Sequence, residues 1–510
     1  MNNEFYSAYN GQSMDRMNIP ILPVLQFRES VCAMVNKGMR LSALLCFPSE
    51  NKNTLFAVLA DAEKGKLRVG SCHVGKKYPA LTPDCMQAHL FEREIYENYG
   101  ILPEGHPWLK PVRFPHNSFS HNSIGDMDYF KVQGDEIHEV AVGPIHAGVI
   151  EPGHFRFQCH GEVVYNLEIS LGYQHRGIEK VFTESPASRQ IHYIETASGD
   201  STAAHTIAYS NVMESLCETS ITARSQALRG IALELERIAC HIGDLGALSG
   251  DVGFMPASAY CGRIRGNVLN MTAVLCGNRF SRNLIRPGGV RFDLDADQID
   301  HLLKELKSVR KDAANAIELM FNTPSVLARF EHTGAVPPED AVKIGMVGPA
   351  ARAAGIDQDV RTYFPAGIYK YQHIPTVSAS GGDVMARAGM NRYQISRYAI
   401  RVLTSPIVLS IFRRIAMLLD VLISRFKQGH QTMNYPKCPA PVLPERFAGM
   451  PAIDQKKCRD CSVPSCMESC PTKALTKTDQ GLRLDMGMCL FCTDCLLSSP
   501  GCQCGRLRCL

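Results

Sequence analysis

Two groups of residues carry the chemistry open to this sequence. The first is a concentration of thiols: of 20 cysteines, ten fall between residues 458 and 510. Cys458, Cys461, Cys466 and Cys470 form one run, the last followed by Pro471. Cys489, Cys492 and Cys495 form a second, spaced C-x-x-C-x-x-C, with Cys502 and Cys504 beyond it. The chain opens on a polar stretch without the charged start and apolar run of an export signal, so crowded thiols point to metal binding rather than disulfides. Zinc sites also use C-x-x-C pairs, but a third cysteine in each run and the Cys-Pro step favour iron–sulfur. The second group is ASGDSTAAHTIAYS (197–210), which holds S-x-x-S-x-x-x-H at Ser198, Ser201 and His205. Its spacing is that of a metal motif, with hydroxyls where soft thiolates would stand.

The elements that must position these residues follow from composition and pattern. A chain of 510 residues suggests about three domains. The net charge of +4, spread among acids, gives no reason to expect a nucleic-acid partner. The runs TLFAVLADA (54–62) and LRVGSCHVG (67–75) predict strands. HLFEREIYENYG (89–100) predicts a helix with Leu90, Ile95 and Tyr99 near one face, ended by Gly100 and Pro103. HNSFSHNSIGD (116–126) reads as a linker. Strand-like residues 153–173 open the next segment, which then turns helical. Over 227–248, Leu228, Ile231, Leu235, Ile238, Ile242 and Leu245 form one apolar stripe. Residues 296–320 and 391–428 share the helical character and suggest a bundle. The apolar stretch 398–426 is interrupted by Arg401, Arg413 and Arg414, so it reads as buried or interfacial helix. A span needs about 20 nearly uncharged residues, and no transmembrane segment is expected of the chain. The fold class is therefore α+β: a small α+β domain over 1–125, a mainly helical domain over 126–435, and a linker with the cysteine-rich tail over 436–510.

The tail resembles the bacterial two-cluster ferredoxins, whose run C-x2-C-x2-C-x3-C-P is written twice. In that family the fourth cysteine of each run ligates the other cluster. Carried over, one 4Fe-4S cluster takes Cys470, Cys489, Cys492 and Cys495. The other is irregular: Cys458, Cys461 and Cys466 have two extra residues in the run, and the remote ligand falls at Ser499. Cys502 is the favoured substitute, with Cys504, a serine ligand or three protein ligands as alternatives.

The long middle of the chain resembles a second family. GPIHAGVIEPGHFRF (143–157), LGYQHRGIEK (171–180), RPGGVRFDLD (286–295) and GDVMAR (382–387) look like the large subunit of group 4 membrane-bound nickel–iron hydrogenases. They resemble equally the homologous quinone-site subunit of respiratory complex I, the NADH–quinone oxidoreductase. FEREIYENYGILPEGHPWLKPV (91–112) resembles another complex I subunit, which is fused ahead of that one in some relatives. The hydrogenases hold nickel and iron through two cysteine pairs. Over the first pair this chain has Ser198 and Ser201, with Gly199 and His205 retained, and no D-P-C-x-x-C is found for the second. The resemblance thus implies a degenerate site with no nickel–iron centre and argues against hydrogen turnover by this chain. The quinone-binding tyrosine of complex I falls at Gly199. Of its histidine pair only His146 remains, the partner falling at Ile150.

Other polar residues border the old cavity or an interface in this resemblance: His146, Glu151, His175, Arg176 and Asp200. Each also has a structural reading. His175, Arg176, Glu179 and Lys180 would lock a turn, and Glu151 would be solvated or paired. His205 would be a satisfied buried histidine, and Ser198, Asp200 and Ser201 would cap the following helix. The resemblance implies a redox subunit of a hydrogenase- or complex I-related oxidoreductase, relaying electrons through two 4Fe-4S clusters. Its partners would be a small iron–sulfur subunit and membrane-arm subunits, and it would lie on the cytoplasmic face, peripheral to the membrane. Two alternatives differ in kind: a non-catalytic scaffold or assembly subunit, and a reductase of quinone or another small acceptor. No nucleotide-binding fingerprint supports direct NADH binding.

Overall fold

A computed structural model of the chain describes residues 5–48, 52–115, 127–146, 151–372, 374–395, 451–452, 465–470, 473–478, 481–485 and 508–509. The chain divides into two units, residues 1–220 with 228–408, and residues 221–227 with 409–510.

The first unit opens with β1 (Tyr6–Tyr9), β2 (Ile21–Leu22), α1 (Val24–Asn36), β3 (Arg40–Phe47), β4 (Asn53–Asp61) and β5 (Lys66–Val74). The strands run β1-β5-β4-β3 with antiparallel neighbours, and β2 pairs parallel with β5. Leu44 faces Ala57 and Leu55 faces Cys72 across the ladders, so β4 and β5 fall where the two apolar runs place them. Leu55, Ala57 and Leu59, two residues apart on β4, share one buried face and one core with Phe27 and Val31 of α1. Strands β6 (Lys77–Pro79) and β7 (Leu102–Glu104) pair in parallel around α2 (His89–Tyr99). Gly100 ends α2 at φ 67°, the left-handed cap that its position predicts.

The buried face of α2 differs from the sequence expectation. Ile95 is buried, but Leu90 and Tyr99 are exposed, and Glu92 and Glu97 take the interior instead. The reason is backbone accounting, because buried amides need acceptors. Glu92 accepts from the amides of Leu81 (2.7 Å) and Thr82 (3.0 Å) and from the Thr82 hydroxyl (2.6 Å). Glu97 accepts from the amides of Val112, Arg113 and Phe114.

Next come β8 (His138–Val142), β9 (His154–His160) and β10 (Val163–Ser170), an antiparallel sheet in the order β10-β9-β8. Helices follow: α3 (Ile178–Glu184), α4 (Ala187–Ile194), α5 (Thr202–Leu216), α6 (Ala223–Asp251) and α7 (Met255–Cys276). A two-rung hairpin, β11 (Ile285–Arg286) with β12 (Gly289–Val290), leads to α8 (Ala296–Phe321). Then come α9 (Pro324–Phe330), α10 (Pro338–Lys343), α11 (Gly348–Ala353), α12 (Val360–Tyr363) and α13 (Val384–Tyr393). Of the predicted α6 stripe, Leu228, Leu235, Ile238, Ile242 and Leu245 are fully buried, while Ile231 is half-buried. Full burial of such a side chain is worth about 1.5–3 kcal/mol, which makes α6 the spine of this half. No helix of the described residues is long and apolar enough to cross a membrane. Residues 398–426 and both predicted linkers lie outside the described residues.

In the second unit, residues Ser465–Glu468 form a helical turn. Leu475–Thr478 and Gly481–Leu484 make an antiparallel hairpin with Leu475 opposite Leu484, and Pro451–Ala452 pairs with Arg508–Cys509. The protein thus mixes helices with mostly antiparallel sheets.

Candidate functional site

The loop carrying Ser198, Gly199, Asp200 and Ser201 joins α4 to α5, and each of its ends is anchored. At its start, Glu195 is buried and accepts from Arg286 Nη1 (2.8 Å) and the Asn283 amide (2.7 Å). Arg176 donates to the carbonyls of Thr196 (2.7 Å) and Ala197 (2.9 Å), tying the entry of α3 to the same loop. The Thr202 hydroxyl closes the loop on the Glu195 carbonyl at 3.0 Å.

Ser201 stands at the N-cap of α5, yet its hydroxyl makes no capping bond. The expectation that Ser198, Asp200 or Ser201 caps this helix is corrected by a carboxylate from elsewhere. Glu236 of α6 accepts the amides of Ala203 (2.6 Å) and Ala204 (3.0 Å) through its two oxygens. A carboxylate satisfies two orphan amides at once and also complements the positive end of the helix, which one hydroxyl cannot do. Burial pushes Glu236 up to about 7 in spite of these bonds, with nearby Asp200 acting in the same direction.

Helix α6 presents Glu236, Cys240 and Asp244 at spacings of four residues, and all three border this loop. Cys240 Sγ lies 3.8 Å from the Asp200 carbonyl, and burial pushes its thiol up to about 12. Asp244 is raised by burial and by the Asp200 charge. Arg265 of α7 answers the acids at 3.4 Å from Asp200 Oδ2. Sequence reasoning missed Glu236, Cys240, Asp244 and Arg265. The signal was present as E-x3-C-x3-D beside the apolar stripe of α6.

The remaining candidates separate. His205, expected to be buried, is exposed on α5, which points its ring away from the packed side of the helix. Its role as a buried, satisfied histidine is therefore set aside. His146 contacts the Gly153 carbonyl at 2.8 Å and meets the Phe155 ring edge-on. Glu151 is exposed. No hydrogen bond or ion pair among the described residues joins His146 or Glu151 to the 198–205 loop. The turn around His175 behaves as the structural reading expects. Arg176 holds the loop, Glu179 pairs with Arg113 at 2.6 Å, and Lys180 approaches Glu184 at 4.0 Å.

The quoted motifs of the middle segment also have structural roles. Arg229 binds the carbonyls of Arg286 (2.6 Å) and Gly289 (2.9 Å) and pairs with buried Glu214, fixing the β11–β12 hairpin. Asp295 closes a capping box with Gln298 on α8. Asp383 caps α13 through the Ala386 amide and holds the His332 amide, both at 2.8 Å. Gly382 has φ +64°, and a Cβ there would meet the Val336 carbonyl oxygen at 2.2 Å, so only glycine fits.

The donor set does not suit a nickel–iron centre. Ser198 and Ser201 offer hydroxyls, burial pushes the neighbouring Cys240 thiol up, and the helix terminus is already taken by Glu236. In the tail, Cys458, Cys461, Cys489, Cys492, Cys495 and Cys502 lie outside the described residues. Cys466 sits in the helical turn Ser465–Glu468, and the Cys470 thiol accepts the Ala474 amide at 3.3 Å.

Comparison with known proteins bears on the family and the fold. The family described as respiratory-chain NADH dehydrogenase, 30 Kd subunit, matches residues 28–123. The 49 Kd subunit of the same enzyme matches residues 251–404. The chain is 28% identical over 331 residues to formate hydrogenlyase subunit 5 of Escherichia coli, covering 61% of this chain and 58% of that protein. It is 31% identical over 256 residues to the carbon monoxide-induced hydrogenase of Rhodospirillum rubrum, covering 50% of this chain and 71% of that one. A solved structure of the membrane-bound sulfane sulfur reductase, an archaeal respiratory membrane complex, shares the fold. There the TM-score is 0.50 and the identity 23%, covering 52% of this chain and 72% of the other. The chain belongs to the family that unites group 4 hydrogenase large subunits with the 49-kDa subunit of respiratory NADH dehydrogenase, and it carries the counterpart of the 30-kDa subunit in the same polypeptide.

Proposed function

We propose that this chain is a redox subunit of a membrane-associated oxidoreductase related to hydrogenases and complex I. In this reading it relays electrons through two 4Fe-4S clusters in its tail and has lost the nickel–iron chemistry of its family. The observation that carries the reading is the 198–201 loop, where hydroxyls replace the thiolates and Glu236 occupies the neighbouring helix terminus. With the fold kept and hydroxyls in place of these thiolates, the tail supplies thiols for another redox group.

Cys470, Cys489, Cys492 and Cys495 would hold one cluster, and Cys458, Cys461, Cys466 and Cys502 the other, in a ferredoxin-like domain. The clusters would supply one-electron storage. The Ala474 amide directed at Cys470 Sγ is a hydrogen bond that would stabilise thiolate charge and tune a potential. The chain's own residues contribute insulation and placement. The Leu475–Leu484 hairpin that follows that cysteine buries Ala474, Leu475 and Leu482.

A docking surface supports membership of a larger complex. Along β10 and its end, Val163, Tyr165, Leu167, Ile169 and Leu171, two residues apart, are all exposed. Such a continuous apolar row suits burial against a partner protein. A small iron–sulfur subunit and membrane-arm subunits are the partners proposed, with the chain peripheral on the cytoplasmic face. The test is turnover of the assembled complex with Cys489→Ser. Lost turnover with assembly intact supports the relay, whereas full turnover would leave the chain a scaffold.

A further inference from the structure

Beside Arg237 and His241 of α6, the first unit forms a half-open cavity of ≈ 370 Å³. Its size is that of a small-molecule site, about 300–1,000 Å³. The lining includes Arg40 of β3, Arg237 and His241 of α6, Arg352 of α11, and Asp359 and Arg361 at α12. Glu234 lies behind them, fully buried. Against four guanidiniums there are therefore two carboxylates at ion-pair distance, while Asp357 acts on Arg352 from further off.

The pairing identifies which guanidiniums are committed. Arg361 is held by Asp359 (2.6 and 3.0 Å), Glu234 (3.4 Å) and the Gln394 side chain (2.8 Å). Arg237 pairs with Glu234 at 3.1 Å. Arg352 reaches Asp359 only at 3.7 Å and the Gln358 carbonyl at 3.4 Å, and its buried Nε has no partner among the described residues. Arg40 has no carboxylate partner there either, and burial pushes it below its ordinary value. His241 is also buried; its side chain bonds that of Asn391, and Asp244 Oδ2 stands 3.9 Å from Nδ1, which has no hydrogen-bond partner among the described residues. Arg352 is more than nine-tenths buried, and an unpaired donor so placed is costly unless something completes it.

We propose that this cavity binds a small phosphate-bearing anion, recognised chiefly by Arg40 and Arg352. The surplus of guanidiniums over closely paired carboxylates suits an anion. Donors converge from a strand and two helices, which suits a tetrahedral group better than a planar carboxylate, and guanidinium forks fit its oxygens. The volume leaves room for an organic remainder, so the shared chemistry covers inorganic phosphate and a small phosphomonoester. The site is separate from the loop at 198–201 and does not depend on the redox reading.

The experiment is isothermal titration of the full chain at constant ionic strength with inorganic phosphate, glycerol 3-phosphate and, as control, chloride. Saturable binding of phosphate alone identifies the free anion, and tighter binding of the ester identifies a phosphorylated metabolite. Arg40→Gln should weaken binding about tenfold or more, since it removes a guanidinium and its charge. Ala62→Glu, which places a carboxylate in the lining, should do the same and serves if Arg40→Gln fails to fold. Absence of saturable binding by both phosphates, or unchanged affinity in a folded variant, overturns the proposal.

Discussion

Helix α6 has two polar sides, and they treat charge in opposite ways. On one, Glu236 and Asp244 join Asp200 around a loop, with Arg265 near Asp200 and Arg237 acting on Glu236. That side holds protons: a carboxyl is pushed up to about 7 and the Cys240 thiol up to about 12. On the other, Arg237 and His241 join Arg352, Arg361 and Arg40 around a cavity. That side repels protons, and burial with Arg237 beside it pushes His241 down to about 3. One helix therefore carries both an acidic cluster beside the 198–201 loop and a basic pocket.

The comparison can be broken most forcefully at Arg361. Arg361→Met would leave buried Asp359 with only Arg352 at 3.7 Å and take one partner from Glu234, costing about 3–5 kcal/mol in denaturant unfolding. A near-neutral result would mean that the basic side does not depend on this network. On the acidic side, Glu236→Ala removes the acceptor of two α5 amides and should cost about 1–2 kcal/mol, with Glu236→Gln costing less.

The pH dependences have opposite signs and sharpen the contrast. Glu236 is raised from 4.5 to about 7, so the native state binds its proton more tightly than the unfolded chain. Its contribution is present below 4.5 and is lost as pH rises towards 7, and Glu236→Gln should flatten that fall. His241 is lowered from 6.5 to about 3, so the unfolded chain binds its proton more tightly. Its contribution is present above 6.5 and is lost as pH falls towards 3, and His241→Gln should remove that acid sensitivity. Thermal melts across this range check both slopes. The smallest effect belongs to Asp200→Asn, which breaks a half-exposed pair at 3.4 Å and should cost under about 1 kcal/mol by the same melts.

Apolar periodicity made the frame legible. The runs at 54–62 and 67–75 become β4 and β5, and the stripe from Leu228 to Leu245 is the buried side of α6. Polar positions were harder to read, because their partners come from distant sequence. Glu92 and Glu97 sit where a periodic reading places polar, solvent-facing residues, yet loop amides some 10 to 17 residues away draw them inward. The cap on α5 comes from Glu236, 33 residues from the amide it holds, so a local serine rule could not find it. The family motifs located the fold, but Arg286, Asp295 and Asp383 turn out to fix backbone geometry. His205 matched the metal motif by spacing alone and stands exposed.

The central claim is that the chain has given up nickel–iron chemistry and carries its redox function in the tail. Anaerobic metal analysis of the purified full chain, with electron paramagnetic resonance after dithionite reduction, tests it most directly. The account predicts about eight iron atoms per chain, no nickel, and the signals of two interacting 4Fe-4S clusters. Stoichiometric nickel, or zinc in place of iron, would contradict it.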